Sequence, residues 1–126
     1  LANALLLFEK GEFERSLEKL VKIDYELFHF KIDIKTLHLK IYYALNCFDE
    51  AYSLIDTYKH FISSNKFISL RYRERAGAFL DILKRLLDLK LSKNPENSGR
   101  ITKDFYDKTS ILEKDWIALK ISEINQ

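Results

Sequence analysis

No methionine occurs in the 126 residues, which include one proline, one cysteine, one tryptophan and three glycines. So few glycines and prolines leave little material for tight turns. That disfavours an all-β fold, which needs a turn every ~8–12 residues. A lone Cys47 excludes an internal disulfide and is compatible with a reducing compartment, so the expected location is cytoplasmic. No stretch approaches the ~18 uninterrupted apolar residues of a membrane-spanning helix. The net charge of +2 is too small to imply nucleic acid by itself. Catalytic signatures are missing too. His29, His38 and His60 form no His-x-x-x-His pair, and there is neither a Gly-rich phosphate loop nor a Gly-x-Ser-x-Gly elbow. The expectation is a non-enzyme with no cofactor and no metal. Because the chain lacks Met and opens inside a helical pattern (Ala4, Leu7, Phe8), it is expected to be the C-terminal part of a longer protein.

What is present is helical. Hydrophobic residues at 47% and charged residues at 32% balance as in a globular chain, and the length suits one domain, 1–126. Ile34, Leu37, His38, Ile41, Tyr42 and Leu45 recur on one helical face behind Asp33, which can cap it. Asn46-Cys47 stops that pattern, and Asn tolerates the left-handed conformation that ends many helices. Phe48, Ala51, Leu54, Ile55, Tyr58 and Ile62 then carry a second face. Residues 33–62 therefore read as a helical hairpin, with Ala51 small where two backbones approach. On its apolar face, His38 reads as a core or interface histidine, and Cys47 as a small buried or half-buried thiol.

An earlier hairpin over residues 1–24 repeats this scheme. Lys10-Gly11-Glu12 is its turn, and Phe13, Ser16, Leu20 and Ile23 follow. From Phe13 to Phe48 the period is 35 residues (48 − 13). Helix-turn-helix repeats of about 34 residues form the tetratricopeptide (TPR) class. The run Gly11, Phe13, Ser16, Leu20 resembles the junction of the two helices in a TPR, although Leu39 stands where Ala4 supplies the small residue and the helix-ending Pro is absent. The stretch from Asp33 to Tyr43, with the late Lys114-Asp115-Trp116, also resembles an uncharacterised group of bacterial TPR-like proteins. That resemblance implies no activity.

Between and beyond the hairpins, residues 25–31 carry Tyr25, Leu27, Phe28 and Phe30 without a helical period and read as a packed loop. A long helix is expected over 67–91, where Ala76, Phe79, Leu80, Leu83, Leu86 and Leu87 keep one face. Residues 92–99 read as the one clear loop and 101–108 as a short helix, with a break at Thr109 or Ser110. Ser110-Ile111-Leu112-Glu113 is a capping box, and Leu112, Trp116 and Leu119 then share a face beside Ile117, Ile121 and Ile124. An unbroken helix over 101–124 is the alternative.

The expected architecture is thus an all-α, TPR-like short solenoid with a C-terminal capping helix. The resemblance implies a protein–protein interaction scaffold whose first helices line a concave groove. In that register the partner-binding positions are Asp33, Thr36, Lys40 and Tyr43, with Arg71 and Arg75 on the adjoining wall. An Arg fork grips carboxylates through two bonds and a tyrosine adds a flat apolar contact, so an acidic peptide is the expected partner. The family's clamp for a C-terminal carboxylate is not expected, because Leu1 and Leu5 stand at its Lys and Asn positions. A nucleic-acid- or anion-binding module is the alternative. It would use Arg71, Arg73, Arg75, Lys84 and Arg85 with Lys35 and Lys40, a set diluted by Glu74 and Asp81.

Overall fold

A computed structural model describes residues 2–92, 95–108 and 110–126. Leu1, Lys93, Asn94 and Thr109, on which parts of the expected clamp, loop and break fell, lie outside the described residues. Among those described, all regular structure is helical: α1 (Ala2–Glu9), α2 (Phe13–Ala44), α3 (Phe48–Ser64), α4 (Leu70–Ser92), α5 (Pro95–Asp107) and α6 (Lys114–Ile124). The chain divides into two compact units, Leu1–His38 and Leu39–Gln126.

In the first unit α1 folds back on the start of α2. Gly11 adopts φ 79°, the left-handed conformation that an L side chain rarely tolerates. Its N–H reaches the Phe8 carbonyl at 3.0 Å, and the Glu12 N–H reaches Leu7 at 2.9 Å. These two bonds are the Schellman closure, which satisfies carbonyls left over at a helix end. The Phe8 and Phe13 rings meet across the turn at 5.2 Å. Ser16, the one buried polar residue among the described residues, donates its hydroxyl to the Ala4 carbonyl at 2.7 Å, and Ala4 itself is buried.

Residues 25–31 are helix, not loop: α2 runs unbroken through them. Tyr-Glu-Leu-Phe-His-Phe-Lys contains no Gly or Pro to break a helix. It looked aperiodic because α2 is apolar on more than one side. The stripe expected to be core is the open one: Ile34, Leu37, Ile41 and Leu45 are exposed, and Phe28, Ile32, Leu39 and Tyr43 are buried. Phe13 is exposed as well, so it does not share the half-buried setting of Phe48 thirty-five residues on.

The second unit is built around α4. It packs against α3, α5 and α6, and α5 also packs against α6. Ala76, Phe79, Leu80, Ile82, Leu83, Leu86 and Leu87 of α4 have no exposed surface, the expected stripe plus Ile82. Helix α4 starts on Ser69, whose hydroxyl accepts the Tyr72 N–H at 3.1 Å, an N-cap that the sequence reading passed over. In α3 the expected face holds for Ala51, Ile55, Tyr58 and Ile62, all buried. Ala51→Leu should overpack this face and cost roughly 1–3 kcal/mol. A urea midpoint equal to that of the unaltered chain would show that nothing meets α3 at Ala51.

Toward the C-terminus the boundaries shift. Helix α5 begins at Pro95, so most of the expected loop is helix; Pro at the first helical position loses no hydrogen bond. Lys108 and residues 110–113 leave the helix, which excludes the unbroken 101–124 alternative. The capping box does not form. Helix α6 starts after Glu113, which sits at φ 56° and makes no side-chain cap. Tertiary contacts prevail there: Ile111 is buried, and the Leu112 N–H is drawn to the Arg75 carbonyl in α4 at 3.2 Å. The packed face of α6 is Ile117 and Ile121, while Leu119 is exposed.

Candidate functional site

The second turn of the chain repeats the first. Asn46 adopts φ 58°, its N–H reaches the Tyr43 carbonyl at 3.3 Å, and the Cys47 N–H reaches Tyr42 at 2.9 Å. Asn46 therefore closes α2 by the same Schellman motif as Gly11, and the recurrence matches the 35-residue sequence period. What differs is an added cation. The Lys90 ammonium, in the last turn of α4, donates to the Tyr43 carbonyl at 2.6 Å and to Asn46 Oδ1 at 2.9 Å. It also lies 3.6 Å from the centre of the Tyr43 ring.

Tyr43 is the hub of this end of the second unit. Its ring meets the edge of Trp116 at 5.4 Å, and Trp116 meets Phe79 at 6.4 Å. Lys120 stands 5.6 Å from the Trp116 ring and Lys40 5.9 Å, within range of the ring's negative face. Two of the three lysines are balanced. Lys40 pairs with Glu113, and Lys120 with Glu123 at 3.3 Å. Lys90 bonds two neutral oxygens instead. Burial, and then the nearby Lys120, holds its pKa below the ordinary lysine value.

Beside Lys90 opens a cleft of about 820 Å³ lined by Ala44, Asn46, Phe48, Leu89, Pro95, Ser98, Ile124, Asn125 and Gln126. One part of its wall is apolar and the other carries amides and a hydroxyl. Ser98 donates to Asn125 Oδ1, whose amide nitrogen in turn donates to Thr102 at 3.0 Å, so this polar rim is held in place by its own bonds. An ammonium offers three N–H donors, of which two are used here among the described residues. The cleft's volume falls in the range of small-molecule pockets.

The expected binding positions are divided between the two units. Asp33 and Thr36 belong to the first unit, where Asp33 is exposed and Thr36 half-buried. Tyr43 is 3% exposed and cannot offer a flat outer surface to a peptide. Lys40 is engaged by Glu113. Arg71 is exposed, but Arg75 is half-buried, with its Nε enclosed and without a hydrogen-bond partner among the described residues. Arg85 pairs with Asp104 at 2.7 Å and Arg73 donates to the Asn65 carbonyl at 3.2 Å, so the basic cluster is partly spent on local contacts. Lys90 was the residue missed. Its signal was present, since Phe79, Leu83 and Leu86 set a stripe whose next position, four residues on, is Lys90. A charge on a buried stripe calls for a partner.

Two tyrosines give the fold a pH signature. Burial and then Glu123 push the Tyr43 hydroxyl up to about 12; burial and then its hydrogen bond to Asp88 do the same for Tyr52. Between pH 10 and 12 the folded chain thus keeps protons that the unfolded chain releases. Their contribution to stability is complete below pH 10 and is lost as pH rises toward 12. Lys90, lowered in the fold, acts with the opposite sign but is a single group. The urea midpoint should fall between pH 9.5 and 11.5, less steeply in Tyr43→Phe; a midpoint that rises across this window would contradict these surroundings.

Among the described residues no group of three or more His, Cys, Asp or Glu side chains is placed to hold a metal ion, and no helix is long and apolar enough to cross a membrane. Comparison with known protein families, curated proteins and solved structures finds no match to this chain.

Proposed function

We propose that this chain is a helical protein-interaction module that holds an acidic segment of a partner in the cleft beside Lys90. The carrying observation is an ammonium fixed by two neutral oxygens at the wall of an 820 Å³ cleft, with no carboxylate paired to it among the described residues. A carboxylate entering the cleft gains a charge-assisted bond from the remaining N–H, and Asn46, Ser98 and Asn125 offer further polar contacts. Phe48, Leu89, Pro95 and Ile124 offer an apolar surface for the neighbouring side chain. The Schellman turn at Gly11 recurs at Asn46, and this supports reading the two turns, joined by the single helix α2, as a degenerate TPR-like repeat, a scaffold type suited to this role. The nucleic-acid alternative draws less support, because Arg85, Arg73 and Lys40 are engaged locally.

A hydrogen bond to a charged group is worth about 1.5–3 kcal/mol, or roughly ten- to a hundredfold in affinity. Fluorescence anisotropy of a labelled peptide alternating Glu with Leu should show saturable binding. Lys90→Met, which keeps the stem and removes the charge, should weaken it by at least about tenfold. Arg71→Ala should leave it unchanged. Equal affinity in Lys90→Met, with circular dichroism confirming that the variant is folded, would reject the cleft.

A further inference from the structure

Helix α2 is apolar on two sides, and the chain covers only one. Phe28 and Ile32 are buried, whereas Leu20, Leu27, Phe30, Ile34 and Leu37 are 39–61% exposed. These exposed residues are not scattered. Leu20, Leu27 and Ile34 recur every seven residues, and Ile23, Phe30 and Leu37 recur every seven beginning three later. That is the a/d frame of a coiled coil, in which a strict seven-residue repeat keeps a seam facing a partner helix through left-handed winding. The preceding d position, Ser16, is already taken by α1 through its bond to Ala4, and Ile23 beside it is half-buried. The open seam therefore centres on Leu27 to Leu37.

The flanking charges name the occupant. In this frame the g positions are Lys19, Glu26 and Asp33, and the e positions are Asp24, Lys31 and His38. In a parallel, in-register pair each g residue lies against the e residue of the other helix five positions on, and opposite charges there set partner and orientation. Lys19 then meets Asp24 of the second copy, Glu26 meets its Lys31, and Asp33 its His38. No step brings like charges together, and two-fold symmetry makes every pair twice. We infer that two copies of this chain associate through a parallel coiled coil of their α2 helices, seamed by Leu27, Phe30, Ile34 and Leu37. The seam shares no residue with the cleft beside Lys90, and the inference does not depend on that cleft.

Sedimentation equilibrium on the 126-residue chain should give a dimer at micromolar concentration. Glu26→Lys, which sets a lysine against Lys31 in both symmetric pairs, should weaken association about tenfold. The double exchange Glu26→Lys with Lys31→Glu should restore it. Leu27→Glu with Ile34→Glu should give a monomer whose helical circular dichroism is retained, since both positions are exposed. With Cys47→Ser as background, Phe30→Cys should form a disulfide between copies on mild oxidation, because identical d positions face each other only in a parallel, in-register pair. A monomeric unaltered chain would overturn the inference, as would a dimer indifferent to Leu27→Glu with Ile34→Glu or an exchange that fails to rescue.

Discussion

Phe79→Ala is expected to lower the unfolding free energy by about 3–5 kcal/mol, the cost of emptying a fully buried aromatic site. Phe79 has no exposed surface, stands in the middle of the α4 stripe and meets the Trp116 ring at 6.4 Å. Helix α4 is the element against which α3, α5 and α6 all pack, so the cavity opens where the second unit has no alternative core. Chains of this size have about 5–15 kcal/mol in all, and the variant should therefore unfold early in urea and report a shifted Trp116 emission. Phe79→Leu fills most of the volume and should cost markedly less. Equal midpoints for Phe79→Ala and the unaltered chain would mean that α4 is not the centre of the core.

The second large effect is expected at Asn46. Asn46→Ile places a β-branched side chain at φ 58° and removes the Oδ1 that accepts the Lys90 ammonium at 2.9 Å. Left-handed strain costs about 1–2 kcal/mol for such a residue. Losing a bond from a charged donor adds about 1.5–3 kcal/mol, reduced here because Lys90 keeps the Tyr43 carbonyl. A total of roughly 2–4 kcal/mol follows. Asn46→Gly separates the two parts, since it accepts the backbone conformation and still lacks the acceptor. It should fall between the other two in chemical denaturation. If Asn46→Ile and Asn46→Gly behave alike, strain is not what Asn46 relieves.

How far the sequence led differs between particular residues, for physical reasons. Gly11 and Asn46 announced two turns because left-handed backbone restricts residue choice, and both turns formed. The α4 stripe was legible because a helix that packs one face against three others and leaves the opposite face exposed carries a strong, single period. Helix α2 misled because Phe28, Ile32, Leu39 and Tyr43 occupy one side and Leu27, Ile34, Leu37 and Ile41 another. With two competing stripes, periodicity alone cannot say which one faces the core. Residues 25–31, where the stripes overlap, therefore read as a loop. The capping box at Ser110 was sound as local chemistry and lost to the burial of Ile111 and the bond from Leu112 to Arg75. Within the site, the TPR register placed Tyr43 on a surface, whereas Trp116 and Lys90, distant in sequence, enclose it. Lys90 itself could be found only by asking why a cation ends an apolar stripe.

The most direct test of the central claim is a heteronuclear NMR titration of the full 126-residue chain with the Glu/Leu peptide. Saturable shifts of the Asn46, Ser98 and Asn125 amides and of the Lys90 side chain are expected, with Arg71 and Arg75 unmoved. Shifts centred on Arg71 and Arg75 while the cleft residues stay fixed, or no shifts at millimolar peptide, would contradict it.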